Sequence, residues 1–231
     1  MKLVGWLLRG ALVLYGLLVV VNVFVFAYQT IAHGTPVNSL AASAFIWDVW
    51  IVSWIVTARW SRPATAQPAA LDQALHWTPT LIGVCLMSFG SAIPTGLKAL
   101  DTPLWRISTE TGWMLTAACA AGLLFTWWAR ISLGSLWSAS VSRTDGHTVV
   151  RRGPYRLVRH PIYSGVILAA LAYAVQIDMA ANLTGALLVT FGFWLKALLE
   201  ERFLSRELGD EAYADYRRRT PMLIPFLPAR G

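Results

Sequence analysis

Between Arg151 and Gly165 the sequence reads Arg-Arg-Gly-Pro-Tyr-Arg-Leu-Val-Arg-His-Pro-Ile-Tyr-Ser-Gly, which puts four arginines, a histidine, two tyrosines and two prolines into an otherwise apolar chain. Charged side chains are costly at bilayer depth unless they face a cavity or a partner, so this run belongs at a membrane surface or around a polar pocket. Gly153-Pro154 predicts a turn. His160-Pro161 biases His160 away from helical geometry and predicts a helix that starts at Pro161. The polar run therefore ends on a helix N-terminus, whose unpaired N–H groups and partial positive charge suit an anionic group. A second polar cluster, Glu200-Glu201-Arg202, follows an apolar stretch long enough to enter a membrane and return, which predicts that the two clusters face each other. Carboxylates in such a site suit ammonium and diol groups, Arg159, His160 and the Pro161 helix start suit a carboxylate, and Tyr155 or Tyr163 offers an aromatic face to a cation.

The elements that must position these residues are helices in a membrane. Of 231 residues, 56% are hydrophobic and 13% charged, mean hydropathy is +0.54, and long apolar runs recur along the chain. Period-2 alternation of the barrel kind is absent, so the expected class is all-α, a polytopic helical membrane protein with about six membrane segments, the last two forming a C-terminal helical hairpin. The net charge of +7 does not point to nucleic acid, because thirteen of the nineteen Lys and Arg residues lie from Arg130 onward, interleaved with apolar spans. Membrane lipids with anionic headgroups are the expected partners.

In chain order, the expected spans run from about Leu3 to Ala27, Leu40 to Ala58, Leu75 to Ile93 and Gly112 to Ile131, with shorter apolar segments from Ile162 to Gln176 and Leu183 to Leu199. The Lys2 end, the Arg59/Arg62 loop and the segment from Arg130 to Arg159 fall on one face, which the positive-inside rule makes cytoplasmic, along with the C-terminal tail. That assignment predicts an integral membrane protein of a bacterial inner membrane. Asp145-Gly146 predicts a short two-stranded excursion between Ser132 and Val150. His76, beside Trp77, is expected at the interface. Cys85 and Cys119 sit in apolar runs without pair spacing, which predicts buried thiols, and the four histidines have no ligand spacing, so no metal site is expected.

Two separated motifs carry a family resemblance. Gly153-Pro154-Tyr155-Arg156, Arg159-His160-Pro161, Tyr163 and Gly165, then an apolar hairpin, then Glu200-Glu201, Leu204, Gly209, Tyr213, Tyr216 and Arg219 resemble the integral-membrane methyltransferases of the isoprenylcysteine carboxyl methyltransferase and phospholipid N-methyltransferase type. The resemblance covers roughly residues 130 to 228 and implies a division into N-terminal accessory or acceptor-side helices, 1–111, and a methyltransferase core, 112–231. It implies S-adenosyl-L-methionine as the methyl donor and a lipophilic or small membrane-partitioning acceptor: a phospholipid amine, a thiol or an isoprenoid carboxylate. The implied donor site comprises Tyr155, Arg156, Leu157, Val158, His160, Pro161, Tyr163, Gly165, Glu200 and Glu201, with Arg159 and Glu201 in catalytic roles. Adjacent glutamates on a helix point about 100° apart, so one of Glu200 and Glu201 is expected to contact the donor while the other pairs with Arg156, Arg159 or Arg219. The alternatives are a nicotinamide-dependent membrane reductase of sterol-reductase-like fold and a non-catalytic membrane protein of the same fold.

Overall fold

The computed structural model describes residues 2–58, 69–90, 99–134, 137, 150–208 and 210–227. Its helices are α1 (Lys2–His33), α2 (Ser39–Thr57), α3 (Ala70–Phe89), α4 (Thr109–Leu133), α5 (Pro161–Ile177), α6 (Ala180–Leu208) and α7 (Asp210–Arg219), with a 3-10 turn at Gly153–Arg156. The expected two-stranded excursion around Asp145-Gly146 and the Arg59/Arg62 loop lie outside the described residues. Among the described residues three helical stretches are long and apolar enough to cross a membrane, Ser39–Thr57, Thr109–Leu133 and Ala180–Ser205, and two shorter apolar ones are Val19–His33 and Pro161–Ile177. Leu124, Ile131, Met114 and Leu187 are exposed on these helices, as expected of side chains that face lipid rather than water.

The chain divides into two compact units, Met1–Arg59 and Trp60–Gly231. In the first, α1 and α2 form an antiparallel pair. Asn38 caps α2 by accepting the Ala41 N–H at 2.8 Å, and Phe26 stacks on Phe45 with ring centroids 4.5 Å apart.

In the second unit α3 packs on α6, α6 on α5 and α5 on α4. Helices in lipid gain little from hydrophobic burial against one another, so close approach and side-chain hydrogen bonds must hold them. Glycines provide that approach at both outer seams. A Cβ on Gly185 would lie 2.7 Å from the Gly83 carbonyl oxygen, and one on Gly122 would lie 2.6 Å from the Gly165 carbonyl oxygen. Amides stitch the same seams: Asn182 Nδ2 donates to the Met87 carbonyl at 2.8 Å, and Gln176 Nε2 to the Gly112 carbonyl at 3.1 Å.

The α5–α6 hairpin turns at Asp178, which adopts a left-handed φ of 68°. An aspartate tolerates this region because its short side chain bonds nearby backbone. Here Oδ1 accepts the N–H groups of Leu104 and Trp105, at 3.0 and 2.5 Å, fastening the α3–α4 connection to the hairpin.

The glutamates sit on a helix, as expected: α6 runs past the apolar segment through Glu200 and Glu201 to Leu208, because Glu200, Glu201 and Arg202 are themselves good helix formers. Cys119 is buried, whereas Cys85 is exposed on the outward side of α3. His76, expected at the membrane interface, is buried where α3 meets α6. The division expected at residue 111 falls inside the second unit.

Candidate functional site

Gly153 holds a φ of 58° and launches the 3-10 turn through Arg156, after which His160 sits at φ −124° and ψ 64° and α5 begins at Pro161. Pro161 at the first helical position costs no hydrogen bond, since that N–H would be unpaired anyway. The loop is held from below by the segment after α7. Arg159 N–H donates to the Pro221 carbonyl at 2.8 Å and His160 N–H to the Met222 carbonyl at 3.1 Å. Ser164 Oγ donates to the Leu223 carbonyl at 2.5 Å.

The two sequence clusters do meet. Arg159 grips Glu201 in a fork, Nε to Oε1 at 2.7 Å and Nη2 to Oε2 at 3.3 Å. Its Nη1 donates to the Arg217 and Thr220 carbonyls at 2.9 and 2.5 Å. The guanidinium thus has acceptors along both edges, the condition under which a buried charge is tolerated. His160 Nε2 lies 3.1 Å from Glu201 Oε1 and its Nδ1 lies 3.5 Å from Glu200 Oε2. Arg217 Nε approaches Glu201 Oε2 at 3.4 Å.

Glu200 is differently placed. Tyr163 Oη donates to its Oε2 at 2.6 Å, and the carboxylate keeps 28% of its side-chain exposure against 6% for Glu201. The Tyr163 ring stacks nearly parallel on His160, centroids 5.3 Å apart, and Lys196 Nζ lies 5.1 Å from the same ring. One oxygen of Glu200 therefore remains free of protein hydrogen bonds among the described residues.

Burial disfavours charge on His160, but its hydrogen bonds to Glu200 and Glu201, and their negative charges, outweigh that and raise its pKa above the ordinary histidine value. Burial pushes the phenols of Tyr155, Tyr213 and Tyr216 up, so all three stay neutral donors. Tyr216 uses its hydroxyl on the Tyr155 carbonyl at 2.7 Å, tying α7 to the loop.

Of the residues singled out in the sequence, Arg159, His160, Tyr163, Glu200 and Glu201 form one connected network. Tyr155, Val158 and Pro161 are buried around it, while Arg156 and Leu157 point outward. Gly165 belongs to the α4–α5 seam, where any side chain would strike the Gly122 backbone. Sequence reasoning missed Lys196, one turn before Glu200 on the same helical face, and the carbonyls of residues 217–222. A lysine four residues ahead of a candidate carboxylate was a legible signal; backbone carbonyls have no residue signature.

Residues 114–207 match the isoprenylcysteine carboxyl methyltransferase (ICMT) family. This span holds the Arg159–Gly165 loop and both glutamates. The cobalt-zinc-cadmium resistance protein CzcN of Cupriavidus metallidurans is 31% identical over 163 residues, 61% of this chain and 74% of the relative. The chain belongs to the isoprenylcysteine carboxyl methyltransferase family. Methanethiol S-methyltransferase 2 of Bradyrhizobium diazoefficiens is 32% identical over 142 residues, 58% of this chain, and the chain spans 54% of that relative's length. The protein-S-isoprenylcysteine O-methyltransferase of Schizosaccharomyces pombe is 26% identical over 198 residues, covering 80% of this chain and 82% of the relative. The family is one of membrane methyltransferases, and this member is an all-helical integral membrane protein.

Proposed function

We propose that the protein is an S-adenosyl-L-methionine-dependent methyltransferase that acts on a lipophilic or small membrane-partitioning acceptor. The observation that carries this reading is the partly exposed Glu200 carboxylate, held by Tyr163 at the rim of an otherwise buried Arg159–Glu201–His160 network. The residues fit the donor chemically. Glu200 suits its α-ammonium or ribose hydroxyls, and the Tyr163 ring suits its cationic sulfur. Bound there, the donor supplies an electrophilic methyl group on a sulfonium, which needs orientation and exclusion of water more than covalent help.

In this reading Glu200 is the carboxylate that touches the donor, and Arg159, Glu201 and His160 are positioning residues. The Arg159–Glu201 fork fixes the pitch of α6 against the loop. His160 then aligns both glutamates, and Tyr163 sets the rotamer of Glu200. Residues 112–231 form the donor-binding core, and the earlier helices lie on the acceptor side. The donor site, the Lys2 end and the C-terminal tail face the cytoplasm of a bacterial inner membrane.

The test is calorimetric titration of the nanodisc-held protein with S-adenosylhomocysteine, with NADPH alongside. Saturable binding of the nucleoside that falls about tenfold or more in E200Q is expected, since a charge-assisted contact is lost. C85A, on the outward side of α3, leaves affinity unchanged. Binding of NADPH alone overturns the reading in favour of a reductase, and unchanged affinity in E200Q removes Glu200 from the donor.

A further inference from the structure

The segment that follows α7 has two sides. On the inner side the carbonyls of Pro221, Met222 and Leu223 accept from Arg159 N–H, His160 N–H and Ser164 Oγ, bracing the loop and the first turn of α5. On the outer side stand three apolar side chains, Ile224, Phe226 and Leu227, 60%, 92% and 52% exposed. Phe226 also holds a left-handed φ of 66°, a conformation that a bulky residue adopts only at a cost. A strained turn that displays a phenylalanine to water is unfavourable twice over, which argues against water as its surroundings.

The place of this turn in the fold names a better solvent. Ser164 lies in the first turn of the apolar helix α5. Leu223, bonded to it, therefore sits where that helix enters the bilayer, and Ile224 to Leu227 continue from the same depth. Just before the turn come Arg217, Arg218 and Arg219, with side chains 37%, 64% and 77% exposed. Arg218 and Arg219 share the single Asp215 carboxylate with Arg151, so this cluster stays positively charged. Arginines beside an exposed apolar turn match a leaflet with anionic headgroups, whose phosphates take the guanidinium groups while its acyl region takes the phenyl ring.

We infer that the turn from Ile224 to Leu227 is anchored in the adjoining leaflet, with Arg218 and Arg219 on anionic headgroups, and that this contact holds the Arg159–Ser164 loop in shape. The coupling path is short. Ile224 directly follows the residue that holds Ser164, and Phe226 lies four residues beyond the one that holds His160. A turn drawn out of the leaflet loosens three acceptors of the loop at once. The anchor and its coupling stand on these contacts; only the consequence for donor affinity rests on the methyltransferase reading.

The first test puts a nitroxide on I224C, in a C85A background, in full-length protein held in nanodiscs of phosphatidylcholine and phosphatidylglycerol. Collisions with oxygen should exceed those with a water-soluble nickel chelate. The reverse preference, or shielding from both reagents as in contact with a protein partner or a second copy, overturns the anchor. Hydrogen exchange then reads the coupling with no donor present. F226S should speed exchange of the Arg159 and His160 amides about tenfold, and F226W, an aromatic suited to the interface, should restore most of the protection. Phe226 has little packing within the chain to lose, so unchanged exchange in F226S overturns the coupling. Omitting phosphatidylglycerol, or the double change R218Q/R219Q, should speed the same amides about threefold; equal exchange in both lipid mixtures overturns the preference for anionic headgroups. S-adenosylhomocysteine affinity should fall with protection in F226S. Wild-type protein that ignores the nucleoside, while F226S still speeds exchange, overturns the donor reading and leaves the anchor standing.

Discussion

Two sets of charges hold the cytoplasm-proposed end of this molecule together, and they are built from the same residue types. In one, Arg159 and Glu201 meet at 2.7 Å with side chains 4% and 6% exposed. In the other, Asp215 of α7 gathers Arg151, Arg218 and Arg219 at 3.2, 3.6 and 3.0 Å, with the arginines 46–77% exposed. The outer set gathers three arginines on one carboxylate, yet the inner set matters more. Water and salt screen the outer charges, and long exposed side chains lose entropy when fixed. The inner pair is out of water, so each member depends on the other and on the carbonyls of Arg217 and Thr220.

The strongest way to break the comparison is at Glu201. E201Q leaves the Arg159 guanidinium buried without a counter-charge, and a loss of about 3–5 kcal/mol is expected for removing one partner of a buried pair; thermal unfolding followed by tryptophan fluorescence reads it directly. A melt close to wild type refutes the claim that burial sets the worth of these pairs. Next comes R159K, which keeps the charge but loses the fork and the two carbonyl contacts. It should cost about 1.5–3 kcal/mol, and a neutral result assigns the grip to charge alone.

His160 sharpens the same point through pH. Its folded pKa lies above its unfolded value, so the stability it contributes is complete below the ordinary histidine value of about 6.5 and is lost as pH rises through the raised folded value. Wild-type melts should therefore decline over that window on the alkaline side, and H160Q should flatten the profile; parallel curves for both proteins place the titration elsewhere. The smallest effect is expected at the outer cluster. The little desolvation of Asp215 works upward on its carboxyl, but Arg219 and Arg151 hold it below the usual aspartate value. D215N should barely move the melting temperature, and any shift should vanish in molar salt.

Much of this arrangement was legible in the residues. The apolar runs marked the six long helices, Pro161 marked the start of α5, and the convergence of the Arg159 loop with Glu200-Glu201 followed from an apolar hairpin of matching length. Which glutamate pairs with Arg159 was not legible, because it depends on the rotation of α6, and that is set by glycine contacts with α3 rather than by the acidic pair. His76 read as interfacial because of its tryptophan neighbour; its burial depends on Gly192, which is more than a hundred residues away along the chain.

The partners of Arg159 arrive in a fixed order. Glu201 follows it by 42 residues and the Thr220 carbonyl by 61. At roughly 5–20 residues per second of ribosomal synthesis, the guanidinium waits about 3–12 s for its final acceptor. Within that interval α5 and α6 are made, and once Glu201 has emerged the guanidinium lacks only the carbonyls of Arg217 and Thr220. The site is thus assembled in the sequence in which it is translated, and the tail that closes it works as the latch on a structure whose walls are already standing.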